Sequence, residues 1–182
     1  MKPNSKKRNL LPWIALGLSI TAGCSSVKTV ETQAYAKLSH QRTYEYDFSA
    51  VWKGIESTLR NYRITDRDPN EVDALEMKKI KKRKLETDWV YGQSRDKYSE
   101  YKINGTPRRV NLQTRIKYFI EAQRVLGGIT VTIKPKEEVE RLNEDGTSAG
   151  YESVDETDTS RSAELLDKIQ NSILSAPPSN EL

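Results

Sequence analysis

Between Val110 and Ala122 the chain alternates without a break. Val110, Leu112, Thr114, Ile116, Tyr118, Ile120 and Ala122 are separated by mostly polar residues. Successive strand side chains point to opposite faces, so this spacing predicts a strand with one covered and one wet face. Gly127-Gly128 follows, and then Ile129, Val131 and Ile133 alternate with threonines and Lys134. Two alternating runs joined by a glycine pair form a hairpin. The chain is thereby committed to an antiparallel sheet whose apolar face needs a cover.

Two helical periods supply that cover. Phe48, Val51, Trp52, Ile55, Leu59 and Tyr62 recur at three- and four-residue intervals, and Ser49 or Asp47 is positioned to cap the helix. A last helix is expected from about Ser160 to Leu174, with Leu165, Leu166, Ile169 and Ile173 on one face. Tyr44, Tyr46 and Phe48 alternate as in a strand before the first helix. Tyr62 to Thr65 reads as a second strand, closed by the turn Asp68-Pro69-Asn70, and Leu75 and Met77 begin a third. Residues 92–107, rich in charge, Ser, Gly and Asn, read as a long loop. Residues 137–158 hold nine acids and one Arg, and read as a solvated arm. The expected fold is α+β: a two-layer sandwich, an antiparallel sheet with an N-terminal and a C-terminal helix on one face. It forms one domain over 42–175, with 176–182 a tail after Pro177-Pro178 begins to close the chain.

The N-terminus has a different character. Lys2, Lys6, Lys7 and Arg8 precede an apolar run from Leu10 to Ile20, then the small residues Thr21, Ala22 and Gly23, then Cys24. A positive segment, a short apolar segment and a small-residue cleavage zone make a secretory signal over 1–23. The run is too short for a spanning helix, which needs about 20 apolar residues. Ile20-Thr21-Ala22-Gly23-Cys24 resembles the lipobox of bacterial lipoproteins, with Thr21 standing where Leu is usual. That resemblance implies cleavage before Cys24, the one cysteine of the chain, and acyl chains on it. Ser25, rather than Asp, then implies sorting to the outer membrane, facing the periplasm. Residues 24–41 read as the lipidated flexible tether.

Charge does not point to nucleic acid. Taking the four leader cations from the 30 Lys and Arg leaves 26, equal to the 26 Asp and Glu. Locally, residues 78–84 carry six basic side chains: Lys78, Lys79, Lys81, Lys82, Arg83 and Lys84. On a strand they would point to both faces, so the segment is expected to stay exposed. It would serve as a sheet edge guarded by lysine, as a partner for the acidic arm, or as a contact for an anionic surface.

The lipobox, the short tether, Phe48-Ser49-Ala50-Val51-Trp52, Thr87-Asp88-Trp89, the Arg115-containing strand, the Gly-Gly hairpin and the final helix together resemble BamC-like (NlpB/DapX-type) outer-membrane lipoproteins. The resemblance covers most of 42–175 and implies a helix-grip domain. It also implies an accessory role, without chemistry, among the proteins that fold β-barrels into the outer membrane. BamC itself carries two such domains and a long N-terminal segment, whereas this chain has room for one domain and a short tether.

Little in the chain could carry catalysis. His40 is the one histidine, so a zinc site or a nucleophile–histidine pair has almost no material, and no enzyme activity, metal or cofactor is expected. Asn143, Asp145, Gly146 and Glu152 fit positions of a calcium loop, but Arg141 stands where its first carboxylate belongs, and an Asp-Gly turn is the better account. Tyr44, Tyr46, Phe48, Trp52 and Tyr118 either fill the core or line a helix–sheet cleft. The expected function is therefore an accessory interaction protein with one or more envelope protein partners, held to the membrane through acyl chains. The alternative is a periplasmic module holding a lipid or other apolar molecule in that cleft.

Overall fold

The computed structural model describes residues 27–29, 37–154, 157 and 159–175. The leader, Cys24, most of the tether, the tail and the acids Asp155, Glu156 and Asp158 lie outside the described residues.

The strands are β1 (Val27–Thr29), β2 (Gln41–Tyr44), β3 (Ile64–Asp68), β4 (Lys82–Thr87), β5 (Val90–Ile103), β6 (Thr106–Val125), β7 (Gly128–Leu142) and β8 (Ser148–Ser153). The helices are α1 (Phe48–Thr58), α2 (Ala74–Lys79) and α3 (Ser160–Ser175). The fold is α+β, and every strand pairing is antiparallel.

The 20-residue β6 organises the sheet. Along one side it pairs first with β5 (Ile103 opposite Thr106, Val90 opposite Ile116) and then with β4 (Glu86 opposite Phe119, Lys82 opposite Gln123). Along the other side it pairs with β7 from Val125–Gly128 to Thr114–Val139. β3 lies outside β4 and β1 outside β5, while β2 and β8 follow one another outside β7. The sheet thus has two overlapping rows that share β6 and β7: β3-β4-β6-β7-β2 and β1-β5-β6-β7-β8.

The core is built on the first row. Ile116, Tyr118, Ile120 and Ala122 of β6, with Ile129, Val131 and Ile133 of β7, meet Phe48, Val51, Trp52 and Ile55 of α1 and Leu165, Leu166, Ile169 and Ile173 of α3. Asp47 caps α1, accepting from the Ala50 N–H at 2.9 Å. Gly54 lets the helices touch, since a Cβ there would come within 2.8 Å of Ile173 Cγ1. The Tyr44 hydroxyl donates to the Leu166 carbonyl at 2.9 Å, tying β2 to α3, and burial pushes its pKa up to about 12.

Beyond this layer the second row continues as an arm, in which residues 100–111 are exposed throughout. Three sequence expectations are corrected here. Residues 92–107 are strand and hairpin turn, not a long loop. Residues 137–153, read as an arm, are the end of β7 and β8, with Asp145-Gly146 in the connecting turn. Leu75 and Met77 lie on the short helix α2, capped by Asp73 accepting from Leu75 N–H (2.8 Å) and Glu76 N–H (2.7 Å). Val27–Thr29, assigned to the flexible tether, pairs with Lys97–Ser99 of β5.

Candidate interaction surface

The strand period that sends Ile116, Tyr118 and Ile120 inward sends Arg115, Lys117 and Phe119 to the opposite face. Register then adds Lys134, Lys136 and Glu138 from β7 and Glu86 from β4. Trp89, in the two-residue link between β4 and β5, lies over this set. Its ring centroid is 4.4 Å from the Arg115 guanidinium, 5.2 Å from Lys117 Nζ and 5.5 Å from Lys136 Nζ. Cation–ring contacts of this kind are worth about 0.5–1 kcal/mol each at open sites. Tyr151 of β8 takes the other side, its ring 4.3 Å from Arg115 and edge-on to Tyr91 at 6.3 Å.

Glu138 bridges two of the cations. It accepts from Arg115 Nε (2.8 Å) and Nη2 (2.6 Å) and is paired with Lys136 Nζ at 2.9 Å, while Glu86 accepts from Lys117. The Lys136 bond, helped by that from Arg115, holds the Glu138 carboxyl below its ordinary value of 4.5 despite desolvation. Its stabilising effect is therefore present above the unfolded-state value and lost as pH falls through the lower folded value. Glu138→Gln, which keeps the shape of a side chain only 7% exposed but removes its charge, is expected to cost about 1–2 kcal/mol at pH 7. Urea titrations at pH 7 and pH 3 check this, with a difference between the two proteins that shrinks at the lower pH. An equal difference at both would show that Glu138 does not act through its charge.

Next to this cluster the outer face forms a groove of about 700 Å³, lined by His40, Lys84, Glu86, Phe119, Glu121, Thr130, Thr132 and Lys134 among others. Phe119 is 37% exposed in its floor. His40 is at the rim, its carbonyl accepting from Ile133 N–H at 2.8 Å. Among the described residues no group of three His, Cys, Asp or Glu is placed to hold a metal ion. The arrangement presents flat aromatic rings among paired charges, a surface suited to recognition.

The basic run does not lie on one face. Lys78 and Lys79 end α2, Lys81 is exposed beyond it, and Lys82 and Lys84 point to the outer face, Lys82 paired with Glu121 at 2.7 Å. Arg83 is corrected outright: it faces the core, 4% exposed, its guanidinium 4.3 Å from the Trp52 ring centroid. Its Nε donates to the carbonyl of Pro69 (3.2 Å) and its Nη2 to that of Asn70 (3.1 Å), so these two nitrogens are served without water. Nor is β4 an edge, since β3 covers it. Of the aromatics considered for a cleft, Tyr44, Phe48, Trp52 and Tyr118 are buried in the core cluster, while Tyr46 is 40% exposed.

The Trp89 cluster was not anticipated. Arg115 and Trp89 were noted only as points of resemblance, and the strand parity that aligns Arg115, Lys117 and Glu138 was available to find it. No protein-family model matches this chain, and no curated protein matches it.

Proposed function

We propose that this protein is a non-catalytic lipoprotein of the outer membrane, held at the periplasmic face by acyl chains on Cys24. Its helix-grip-like domain serves as an accessory interaction module in envelope or β-barrel outer-membrane protein assembly. The observation that carries the reading is the N-terminal order of cations, short apolar run, small residues and a single cysteine. Two acyl chains or more would make the attachment lasting rather than transient. The open outer face, with Trp89, Tyr151 and Phe119 among charges, supports a protein partner as the occupant. The alternative, an apolar ligand between helices and sheet, would have to displace Phe48 and Trp52, each 1% exposed.

Cys24→Ala tests the anchor. The variant is expected to leave the salt-washed outer-membrane fraction, either as periplasmic protein or as uncleaved precursor, and the intact mass of the wild-type chain should show leader loss plus acylation. Retention of the variant in that fraction would refute the reading. For the partner, detergent extracts should yield a stoichiometric protein with this chain; bound lipid in its place would favour the alternative.

A further inference from the structure

We propose that the tip of the β5–β6 hairpin is a second membrane contact, laying the end of the arm on an anionic phospholipid surface beside the acylated N-terminus. The inference rests on the anchor reading above and adds to it a protein element that touches lipid.

Three observations converge on the tip. The first is composition and exposure. Tyr101, Ile103 and Val110 are 46%, 51% and 48% exposed. By register they share one face of the hairpin with Arg108, while Lys102 and Arg109 lie on the other. Over 100–111 three cations face one acid, Glu100. Apolar and aromatic side chains bounded by cations match the layered chemistry of a headgroup region.

The second is where the chain enters. β1 runs antiparallel to β5 with Val27 opposite Ser99 and Thr29 opposite Lys97. Followed back toward the N-terminus, the chain therefore heads toward the hairpin tip. Cys24 is three residues before Val27, and three residues reach at most about 10 Å. A lipid on that cysteine brings the bilayer to this end of the molecule.

The third is what lies elsewhere. Lys82 pairs with Gln123, 13 residues along β6 from Val110. At about 3.3 Å per residue the 78–84 run is on the order of 40 Å from the anchored end. That run is the more basic stretch in sequence, yet it is placed to miss the surface that the tip meets.

The test uses the full lipidated chain in vesicles of phosphatidylglycerol and phosphatidylethanolamine whose acyl chains carry a spin-label quencher. With Cys24 acylated, an introduced cysteine is the one free thiol. An environment-sensitive dye on Thr106→Cys should be quenched, and the same dye on Leu126→Cys, at the far end of β6, should not. Adding Lys102→Gln, Arg108→Gln and Arg109→Gln should weaken the tip-bound equilibrium about a hundredfold. Pure phosphatidylcholine should weaken it likewise. An acylated chain whose Thr106 dye is unquenched overturns the tip contact and leaves the anchor standing. Quenching at Leu126 instead, or tip quenching indifferent to the three charges, also overturns it. Intact mass reports acylation separately: the dye is read only on chains whose mass shows acylation, and a bare sulfur would fell the anchor and with it the placement of the tip on the bilayer.

Discussion

Trp52→Ala is expected to lower the unfolding free energy by about 3–5 kcal/mol, the range for deleting a large buried aromatic. Trp52 is 1% exposed, stacked on Phe48 at 6.3 Å and covered on β4's side by the Arg83 guanidinium. The substitution opens a cavity and strips a buried cation of the ring that shields it. Burial already pulls Arg83 below its ordinary pKa, so the loss falls on a cation that its surroundings desolvate. Trp52→Phe should cost much less, because the indole N–H has no hydrogen-bond partner among the described residues. Equilibrium urea denaturation checks both. If alanine and phenylalanine shift the midpoint equally, the ring contact with Arg83 contributes nothing.

Gly128→Ala should cost about 3 kcal/mol or more, for a reason unrelated to core volume. Gly128 has φ +146, and a Cβ there would stand 2.2 Å from the Tyr44 carbonyl oxygen and 3.0 Å from its carbon. Both are backbone atoms of β2, so the clash cannot be relieved by a rotamer change. β2 would have to leave β7, taking Tyr44 and its bond to Leu166 out of the core. Gly127→Ala provides the comparison: φ is +93, but nothing among the described residues lies within 4 Å of the added Cβ, so only conformational strain of about 1–2 kcal/mol applies. Thermal denaturation of the pair should separate them. Equal losses would mean that β2 is not held where Tyr44 places it.

The parts of this fold that could be read from sequence are those with one wet and one dry face. Ile116–Ala122, Ile129–Ile133 and the stripes of α1 and α3 all border the helix-covered row, where burial forces a period onto the chain, whereas Val110, expected on the covered face, is 48% exposed in the arm. β5 and β8 lie in the arm, where much of each strand is exposed, so their sequences carry charge, Ser and Gly with no period. Residues 93–98 also contain a register shift, with Gln93 opposite Gln113 and Tyr98 opposite Asn111. That interruption deepens the likeness to a loop. α2 escaped notice because Leu75 and Met77 are two apart, the spacing of a strand, in a helix of six residues. Asp73 was the signal for it. Arg83 was misjudged because formal charge outweighed geometry; a guanidinium that stacks on a ring and finds two carbonyls can be buried within a basic run. The outer-face cluster was half legible: parity places Arg115 and Lys117 together, but only the pairing of β6 with β7 brings Glu138 beside Arg115.

The length of β6 has a further consequence for how the molecule sits. Twenty strand residues extend roughly 65 Å, so one uninterrupted element runs from the hairpin tip to the Leu126-Gly127 turn. If the proposed tip contact holds, the sheet would act as a strut. Its helix-clad portion would then be carried away from the leaflet, with the Trp89 cluster partway up, clear of the headgroups. A partner could then approach from the side without competing with the bilayer, at a height fixed by hydrogen-bonded backbone instead of a floppy leash.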